Sequence, residues 1–426
     1  MWCAPRANGS FFSFVRVALA GFILLSGAQG QAKQRTNQPA IKSLPTKVTY
    51  EAESRLIEIY KLVGASKAKE ALALASKLTT DFPHFQLGQL VYGDLLLLQT
   101  KPVRQLGELP TSLAKSATNQ AALAELRDES SQRLKALRER PPAGTIPSQL
   151  LSLSPRNKHV IAVDTSKSRL YLLENGPQGV RLIADHYISV GQAGIEKNVE
   201  GDNKTPLGVY YLTSTVDPKG LPPLYGGGAL PINYPNPFDQ RLGKTGSGIW
   251  FHGTMPDRYA RQPQSTNGCV VLSNPDLHKL MATVAVKTTP VVIASQLTWV
   301  NPAQLIPERT QFELSLNQWR EAKNAGQIDK LYNFYMADFF NYGRTLKDWW
   351  PSVLAEVKIA NKRPIQWRET TELMWRPDIN KKNPNIMVVT YDEMIPGNKQ
   401  AITKRQYWMQ LGNQWKIFFE GAIASS

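Results

Sequence analysis

Apolar residues recur at helical spacing in the segment that follows residue 50. Steps of three and four positions predict one helix up to Val63 and a second up to Leu78, and Asp81-Phe82-Pro83 ends the pattern. The apolar positions are Leu56, Ile59, Tyr60 and Val63, then Ala71, Leu72, Ala75 and Leu78. Further helices are predicted at 87–98 and 121–138. We therefore predict a helical domain over residues 50–145, which ends at Pro141-Pro142-Ala143-Gly144.

From His159 the pattern changes to the two-residue period of strands. Short strands are predicted at 159–164, 169–173 and 186–190, with Glu174-Asn175-Gly176 as a turn between two of them. Strands at 208–213 and 248–251 bracket a long irregular loop rich in Gly, Pro and Asn. Long loops of this kind are more often functional than not. The pattern predicts a mainly-β domain over residues 150–300.

After Pro307 the pattern begins with a helix and continues with strands. Phe312, Leu316 and Trp319 lie at helical spacing, and strands are predicted at 386–391, 404–411 and 413–419. This order predicts an α+β domain over residues 308–426. Residues 301–307 are predicted to be a linker between two independent cores.

The first thirty residues have the pattern of a secretory signal peptide. Arg6 and Arg16 precede the apolar run Val17 to Leu25, and Ala28-Gln29-Gly30 supplies small residues for cleavage. Residues 31–49 are predicted to be a flexible leader. No later stretch reaches the roughly 20 apolar residues of a membrane-spanning helix. We therefore expect a periplasmic protein with no transmembrane segment beyond the signal.

The net charge is compatible with a partner of negative charge. The formal charge is +16, and removal of Arg6 and Arg16 leaves +14 (16 − 2). Such a charge attracts polyanions, among them nucleic acids, phospholipid headgroups and the carboxylate-rich cell wall. The chain has no nucleic-acid-binding motif, and export separates it from most nucleic acid. A charge that serves general solubility is the other interpretation.

Removal of the signal leaves one cysteine. Cys3 lies within the signal, so Cys269 is the thiol of the mature chain and no disulfide within the chain is expected. A lone thiol in an oxidising compartment is either a catalytic nucleophile or a buried, inert side chain. The surrounding residues decide between these two interpretations.

Cys269 follows a histidine at a spacing that suits nucleophilic catalysis. His252 ends the predicted strand in Ile249-Trp-Phe-His-Gly-Thr254, and Cys269 lies 17 positions later (269 − 252) in Ser265-Thr-Asn-Gly-Cys269. A thiol attacks as thiolate, and a nearby imidazole takes its proton and later returns it to the leaving amine. The backbone amides of Asn267, Gly268 and Cys269 are predicted to form an oxyanion hole.

These residues resemble the L,D-transpeptidase (YkuD-type) signature, in which a His-Gly-Thr strand end precedes a Ser-His-Gly-Cys-x-Arg loop. The run Glu200 to Tyr210 also matches the family's Thr-Pro-x-Gly strand entry, and the resemblance covers residues 158–295. It implies a β-sandwich-like catalytic domain that acts on peptidoglycan stem peptides without a metal or cofactor. Its implied roles are Cys269 as nucleophile on the carbonyl of the L-centre of diaminopimelate, and His252 as general base and acid.

The same resemblance implies roles for the neighbouring residues. The backbone carbonyl of Gly253 would orient the His252 imidazole, as the third member of a triad. Thr254, Ser265 and Thr266 flank the two catalytic side chains and are predicted to bind substrate.

Two residues depart from the family pattern. Asn267 stands where the family has His, and Val271 stands where it has an Arg that could hold a carboxylate. Lys244 and Arg258, on the long loops, are basic residues that could reach the same carboxylate. The departures favour L,D-carboxypeptidase activity, tetrapeptide to tripeptide. The alternatives are an L,D-transpeptidase, which forms 3-3 cross-links or attaches or detaches wall proteins, and a non-catalytic wall-binding protein.

The C-terminal domain resembles the cone-shaped SnoaL-like domains that accompany some L,D-carboxypeptidase-like cell-shape proteins. The matching residues are Trp319-Arg320, Asp329 to Tyr335, Phe339-Phe340, Trp349-Trp350 and Trp415-Lys416-Ile417. Such a domain hosts a pocket or an interface, and a homodimer through it is one arrangement. The aromatic residues are equally consistent with a simple core.

Overall fold

The computed structural model describes residues 51–108, 117–377 and 384–423. The predicted signal peptide and leader lie outside the described residues. The helices are α1 (Glu51–Gly64), α2 (Ala68–Asp81), α3 (Gln86–Leu97), α4 (Ala117–Arg138), α5 (Pro237–Arg241), α6 (Asn274–Thr283), α7 (Ile306–Asn324), α8 (Ile328–Tyr332) and α9 (Leu346–Ala360). Within the described ranges, no helix is long and apolar enough to cross a membrane.

The strands fall into a catalytic region and a C-terminal region. They are β1 (Ile146–Pro147), β2 (Leu150–Ser152), β3 (His159–Asp164), β4 (Arg169–Gly176), β5 (Gly179–Tyr187), β6 (Val190–Gly191), β7 (Gly208–Tyr211), β8 (Ala229–Pro231), β9 (Trp250–His252), β10 (Gln264–Thr266), β11 (Val270–Val271), β12 (Pro290–Ala294), β13 (Trp299–Val300), β14 (Tyr335–Asn341), β15 (Arg344–Thr345), β16 (Gln366–Trp375), β17 (Ile386–Met394), β18 (Ile402–Leu411) and β19 (Gln414–Ala422).

The N-terminal helices form the predicted helical region. α1, α2 and α3 pack around a core to which Leu56, Ile59, Ala75 and Leu78 contribute, all with no exposed surface. α2 ends at Asp81, where the sequence predicts the break. The spacing of apolar residues predicts these helices correctly because amphipathic helices bury their apolar faces against each other.

The catalytic region contains two β-sheets that face each other across a shared core. One sheet has the order β5-β4-β3-β12-β7 and the other has the order β11-β9-β8. β3 is buried on both faces: Ile161 and Val163 lie in the core between the two sheets, and Val160 and Ala162 lie in the core on the opposite side. The predicted sandwich-like catalytic region is confirmed, and β3 has the bounds that its pattern predicts. Glu174, Asn175 and Gly176 belong to β4, so the hairpin turn falls at residues 177–178, after the predicted turn.

The C-terminal region is α+β, as predicted. Its sheet has the order β15-β14-β19-β18-β17-β16-β2, and α7 and α9 pack against it. Three of the aromatic residues that carry the SnoaL-like resemblance are core residues: Trp319 has no exposed surface, and Phe339 and Trp415 are 2% and 5% exposed, whereas Tyr332 is 47% exposed.

The linker predicted at 301–307 is wrong. Residues 302–305 form a 3-10 helix that leads directly into α7, and β2, which precedes the catalytic region, pairs with β16 of the C-terminal sheet. One continuous apolar cluster joins Val160 and Ala162 of β3 to Trp319 of α7. The two regions therefore share a core, and the domain bounds at 150–300 and 308–426 remain predictions.

Candidate active site

Adjacent strands bring Cys269 and His252 to one face of the smaller sheet. β11 runs parallel to β9, with Val270 opposite Phe251 and Val271 opposite His252. Side chains two positions apart along an extended chain point to the same face. Cys269 therefore shares the face of Val271, and its partner strand presents His252 on that face.

The environment of His252 defines which nitrogen can act as a base. The side chain is 3% exposed, and its Nδ1 lies 2.8 Å from the carbonyl oxygen of Gly253. Since a carbonyl only accepts, Nδ1 carries the hydrogen and Nε2 is left with the lone pair. Burial lowers the pKa of His252 to about 4, with the Gly253 carbonyl opposing this shift and the Arg261 charge adding to it. The imidazole is therefore neutral at neutral pH and can accept a proton.

Cys269 is a buried thiol held by its loop. It is 2% exposed, and its Sγ lies 3.4 Å from the carbonyl oxygen of Gly248. The hydroxyl of Thr266 donates to the Cys269 carbonyl (2.7 Å) and accepts from the Gly268 amide (3.1 Å). The Gly268 amide is thus engaged by Thr266, which leaves the amides of Asn267 and Cys269 as the predicted oxyanion donors.

Gly268 allows the loop that carries Cys269 to approach the backbone of Lys204 closely. Its φ is +114°, and a Cβ at this position would lie 2.6 Å from the carbonyl oxygen of Lys204. Thr205, in the matched Thr-Pro run, donates through its hydroxyl to the Gly268 carbonyl at 2.9 Å and accepts from the Gly191 amide at 2.9 Å. The Thr-Pro run therefore serves to fix the cysteine loop.

Asn274 connects the loops on either side of His252. Its Oδ1 accepts from the amides of Gly227 (3.0 Å) and Thr254 (3.1 Å), and its Nδ2 donates to the Thr254 carbonyl (2.9 Å). A Cβ on Gly253 would lie 1.9 Å from Asn274 Oδ1, so only glycine fits between them. Asn274 thereby fixes the peptide that holds His252. This role has no signature in the sequence, because contacts across loops leave no periodic signal.

The three residues predicted to bind substrate have hydroxyls that hold the loops. Thr254 donates to the Arg258 carbonyl (2.7 Å), Ser265 to the Gln262 carbonyl (3.0 Å), and Thr266 to the Cys269 carbonyl. Thr254 and Thr266 are also almost completely buried. Their contact with substrate remains a prediction.

Arg261 is a cation near His252 and Cys269 that no sequence motif indicates. Its carbonyl accepts from the hydroxyls of Tyr187 and Ser189, each at 2.9 Å, and its guanidinium donates to the Ser265 carbonyl. Burial lowers the pKa of Arg261, Arg258 lowers it further, and Cys269 opposes the shift, so the guanidinium lies within electrostatic reach of the thiol.

The two basic residues that sequence analysis suggested are placed differently. Lys244 pairs with the buried carboxylate of Asp239 at 2.9 Å, while Arg258 is exposed to solvent. Arg261, by contrast, is a partly buried cation that interacts electrostatically with Cys269.

The helical region contacts the loop that carries Arg261. The amide of Tyr259 donates to the His84 carbonyl at 3.0 Å, and its ring packs against Phe85 with centroids 4.6 Å apart. The Arg133 guanidinium lies 4.0 Å from the centroid of the Tyr187 ring, whose hydroxyl holds the Arg261 carbonyl.

Glu53 of α1 joins the helical region to the catalytic sheet. Its carboxylate pairs with Arg133 at 2.7 Å and with Arg169 of β4 at 2.9 Å. Burial raises the pKa of Glu53, but the two guanidiniums outweigh this effect and lower it to about 2. The helical region is thus braced against the active-site side of the catalytic region.

Comparisons with known proteins identify a family and similar folds for this region. A model of the L,D-transpeptidase catalytic domain matches residues 158–293. The chain is similar to Bd1075 of Bdellovibrio bacteriovorus, with 25% identity and a TM-score of 0.54 over 66% of this chain and 99% of that one. It has the fold of the helical cell shape determining protein Pgp2 from Campylobacter jejuni, at 20% identity and a TM-score of 0.51 over 69% of this chain and 99% of that one. A search of curated protein sequences found no match.

Proposed function

Residues 158–293 belong to the L,D-transpeptidase catalytic domain family, and from this premise we propose that the protein is a periplasmic L,D-carboxypeptidase that trims tetrapeptide stems of peptidoglycan to tripeptides. The family assigns the chain to peptidoglycan processing outside the cytoplasm. The choice of reaction and the roles of single residues are our proposal.

The observation that carries the mechanism is the contact between His252 Nδ1 and the Gly253 carbonyl, which leaves Nε2 as the basic nitrogen. In the first step, Nε2 takes the thiol proton and Sγ of Cys269 attacks the carbonyl carbon at the L-centre of diaminopimelate. The oxyanion that forms accepts from the amides of Asn267 and Cys269. His252 then donates its proton to the nitrogen of D-alanine, which leaves, and an acyl-enzyme results.

Hydrolysis completes the proposed cycle. His252, neutral again, takes a proton from water, and the hydroxide attacks the thioester carbonyl. The tripeptide leaves with a new carboxylate, and His252 returns the proton to the thiolate of Cys269. No co-reactant other than water is required.

The preference for water rests on residue 271. Val271 is buried and has no group that binds a carboxylate, and Arg261 supplies a single guanidinium near Cys269. One guanidinium can hold one carboxylate bidentately. We assign the Arg261 guanidinium to a carboxylate of the donor stem peptide. Arg261 would favour 3-3 cross-linking instead if its guanidinium held a carboxylate of the acceptor stem peptide.

Replacement of the nucleophile tests whether the protein is an enzyme. We expect Cys269→Ala to abolish release of D-alanine from tetrapeptide muropeptides while the thermal unfolding midpoint stays close to that of the unmodified chain. Val271→Ala is the matched control, since it alters a buried side chain on the same strand face without removing a reacting group. D-alanine release by Cys269→Ala at the unmodified rate would remove Cys269 from the mechanism, and no release by the unmodified chain would leave the non-catalytic, wall-binding interpretation.

A further inference from the structure

A cleft lies between the catalytic sheet and the C-terminal sheet. It contains a cavity of about 200 Å³ to which Tyr211 and Lys287 contribute from the catalytic region and Arg405, Tyr407 and Phe419 from the C-terminal region. A smaller adjoining cavity of about 40 Å³ shares Tyr211, Lys287 and Arg405. Neither His252 nor Cys269 lines these cavities.

Arg405 is a buried cation in this cleft. It is 5% exposed, its guanidinium carbon lies 3.3 Å from the centroid of the Tyr211 ring, and its Nε donates to the Thr390 hydroxyl at 2.9 Å. Within the described part of the chain, no carboxylate lies within 4.0 Å of its nitrogens. A buried charge without a counter-ion is costly, so proteins usually pair such groups.

The neighbouring lysine shows the usual arrangement. Lys404 precedes Arg405 on β18 and therefore points to the opposite face of the sheet. There it pairs with Glu356 at 2.7 Å and with Glu393, and it lies 3.6 Å from Glu420. The sheet thus neutralises the buried cation on one face and leaves the cation on the other face without a carboxylate among the described residues.

Tyr407 adds a hydrogen-bond donor to the same cavity. It lies two positions after Arg405 on β18, so both side chains share a face. It is 1% exposed, and its hydroxyl has no hydrogen-bond partner among the residues that the structure describes. Burial raises the pKa of Tyr407, which keeps the hydroxyl protonated. Buried hydroxyls usually have a hydrogen-bond partner, so the Tyr407 hydroxyl can donate to a ligand in this cavity.

We propose that this cleft binds a carboxylate carried on a small, partly apolar group, with Arg405 pairing the carboxylate and Tyr407 donating a hydrogen bond to it. One guanidinium can bind a carboxylate through two parallel hydrogen bonds. The cavity is smaller than the 300 Å³ or more that is typical of drug-sized ligands, and Leu212 and Phe419 supply apolar walls. The size and lining therefore suit the end of a peptide or a single amino acid of alanine size. Binding at Arg405 and Tyr407 does not depend on the proposed reaction.

Direct binding to the full chain with Cys269→Ala tests this proposal, because that substitution prevents turnover. The ligands are free D-alanine and a tripeptide muropeptide, measured by calorimetry, which distinguishes a free amino acid from a stem peptide as the source of the carboxylate. We expect at least one of them to bind saturably. Arg405→Gln should weaken binding at this site at least tenfold, and Tyr407→Phe should weaken it severalfold.

Arg363→Gln is the matched control, because Arg363 is an exposed arginine of the same region. It should bind as tightly as the parent. A muropeptide can also occupy the active site, so only the binding that disappears with Arg405→Gln is assigned to the cleft.

Thermal unfolding provides a second readout that does not depend on the strength of binding. Since Arg405 has no carboxylate partner among the described residues, Arg405→Gln should unfold at or above the temperature of its parent without ligand. It should also lose the rise in midpoint that saturating D-alanine or muropeptide produces in the parent. Unchanged binding in Arg405→Gln, or no saturable binding of either ligand to the parent, would overturn the proposal.

Discussion

The buried position of His252 predicts an unusually acidic limit for activity. At pH 5.5 an imidazole with a pKa of about 4 is roughly 3% protonated, whereas one with a pKa of 6.5 is roughly 91% protonated. Because the mechanism needs neutral His252, kcat/KM at pH 5.5 should remain within about twofold of its value at pH 7. The assay is D-alanine release from tetrapeptide muropeptides at substrate concentrations far below KM, between pH 3.5 and 8.

The lowered pKa of His252 also makes the stability of the folded chain depend on pH. The unfolded chain binds a proton at this histidine below about pH 6.5, but the folded chain does so only near pH 4. Stability therefore falls as the pH drops through this window, by about 3 kcal/mol for a shift of about 2.5 units. His252→Asn should lack this part of the pH dependence. An acid limb of kcat/KM at pH 6.5 or above, with equal pH dependence of unfolding in both chains, would refute a neutral, buried base.

Three further substitutions test the structural roles. Glu53→Gln should destabilise the chain by roughly 3 to 5 kcal/mol in chemical denaturation, because it removes the charge that two buried arginines share; the exposed Glu58→Gln should change stability little. Asn274→Ala should lower kcat by about tenfold or more with a smaller change in KM, since it frees the Gly253 peptide that orients the base; a change confined to KM would contradict this role. A chain that ends at Pro307 should fail to fold, because the catalytic and C-terminal regions share one core. A cooperative thermal transition in that fragment would contradict a shared core.

The sequence was informative where a local pattern sets the structure. The helical period predicts α1 to α3, and the bounds of β3 follow from its run of apolar residues. The candidate catalytic pair is also found locally, since His252 ends β9 and Cys269 directly precedes β11, which pairs with β9.

Long-range contacts were beyond the sequence pattern. β2 is three residues long, too short to show a period, yet it pairs with β16 more than 200 positions later. Its place in the C-terminal sheet explains why the linker prediction failed, since both regions contribute to one core. Arg261 and Asn274 were missed for a related reason: their positions depend on how loops fold back, which residue spacing does not encode.

The product formed at high substrate concentration distinguishes hydrolysis of the acyl-enzyme from cross-linking. The full chain is incubated with an excess of tetrapeptide muropeptides, so that a second stem peptide is abundant as an acceptor, and the products are separated and weighed by mass spectrometry. If the protein is an L,D-carboxypeptidase, each tripeptide monomer is formed together with one free D-alanine, because Val271 offers no group that holds an acceptor carboxylate. A majority of 3-3 linked dimers would contradict it and assign the protein to cross-linking.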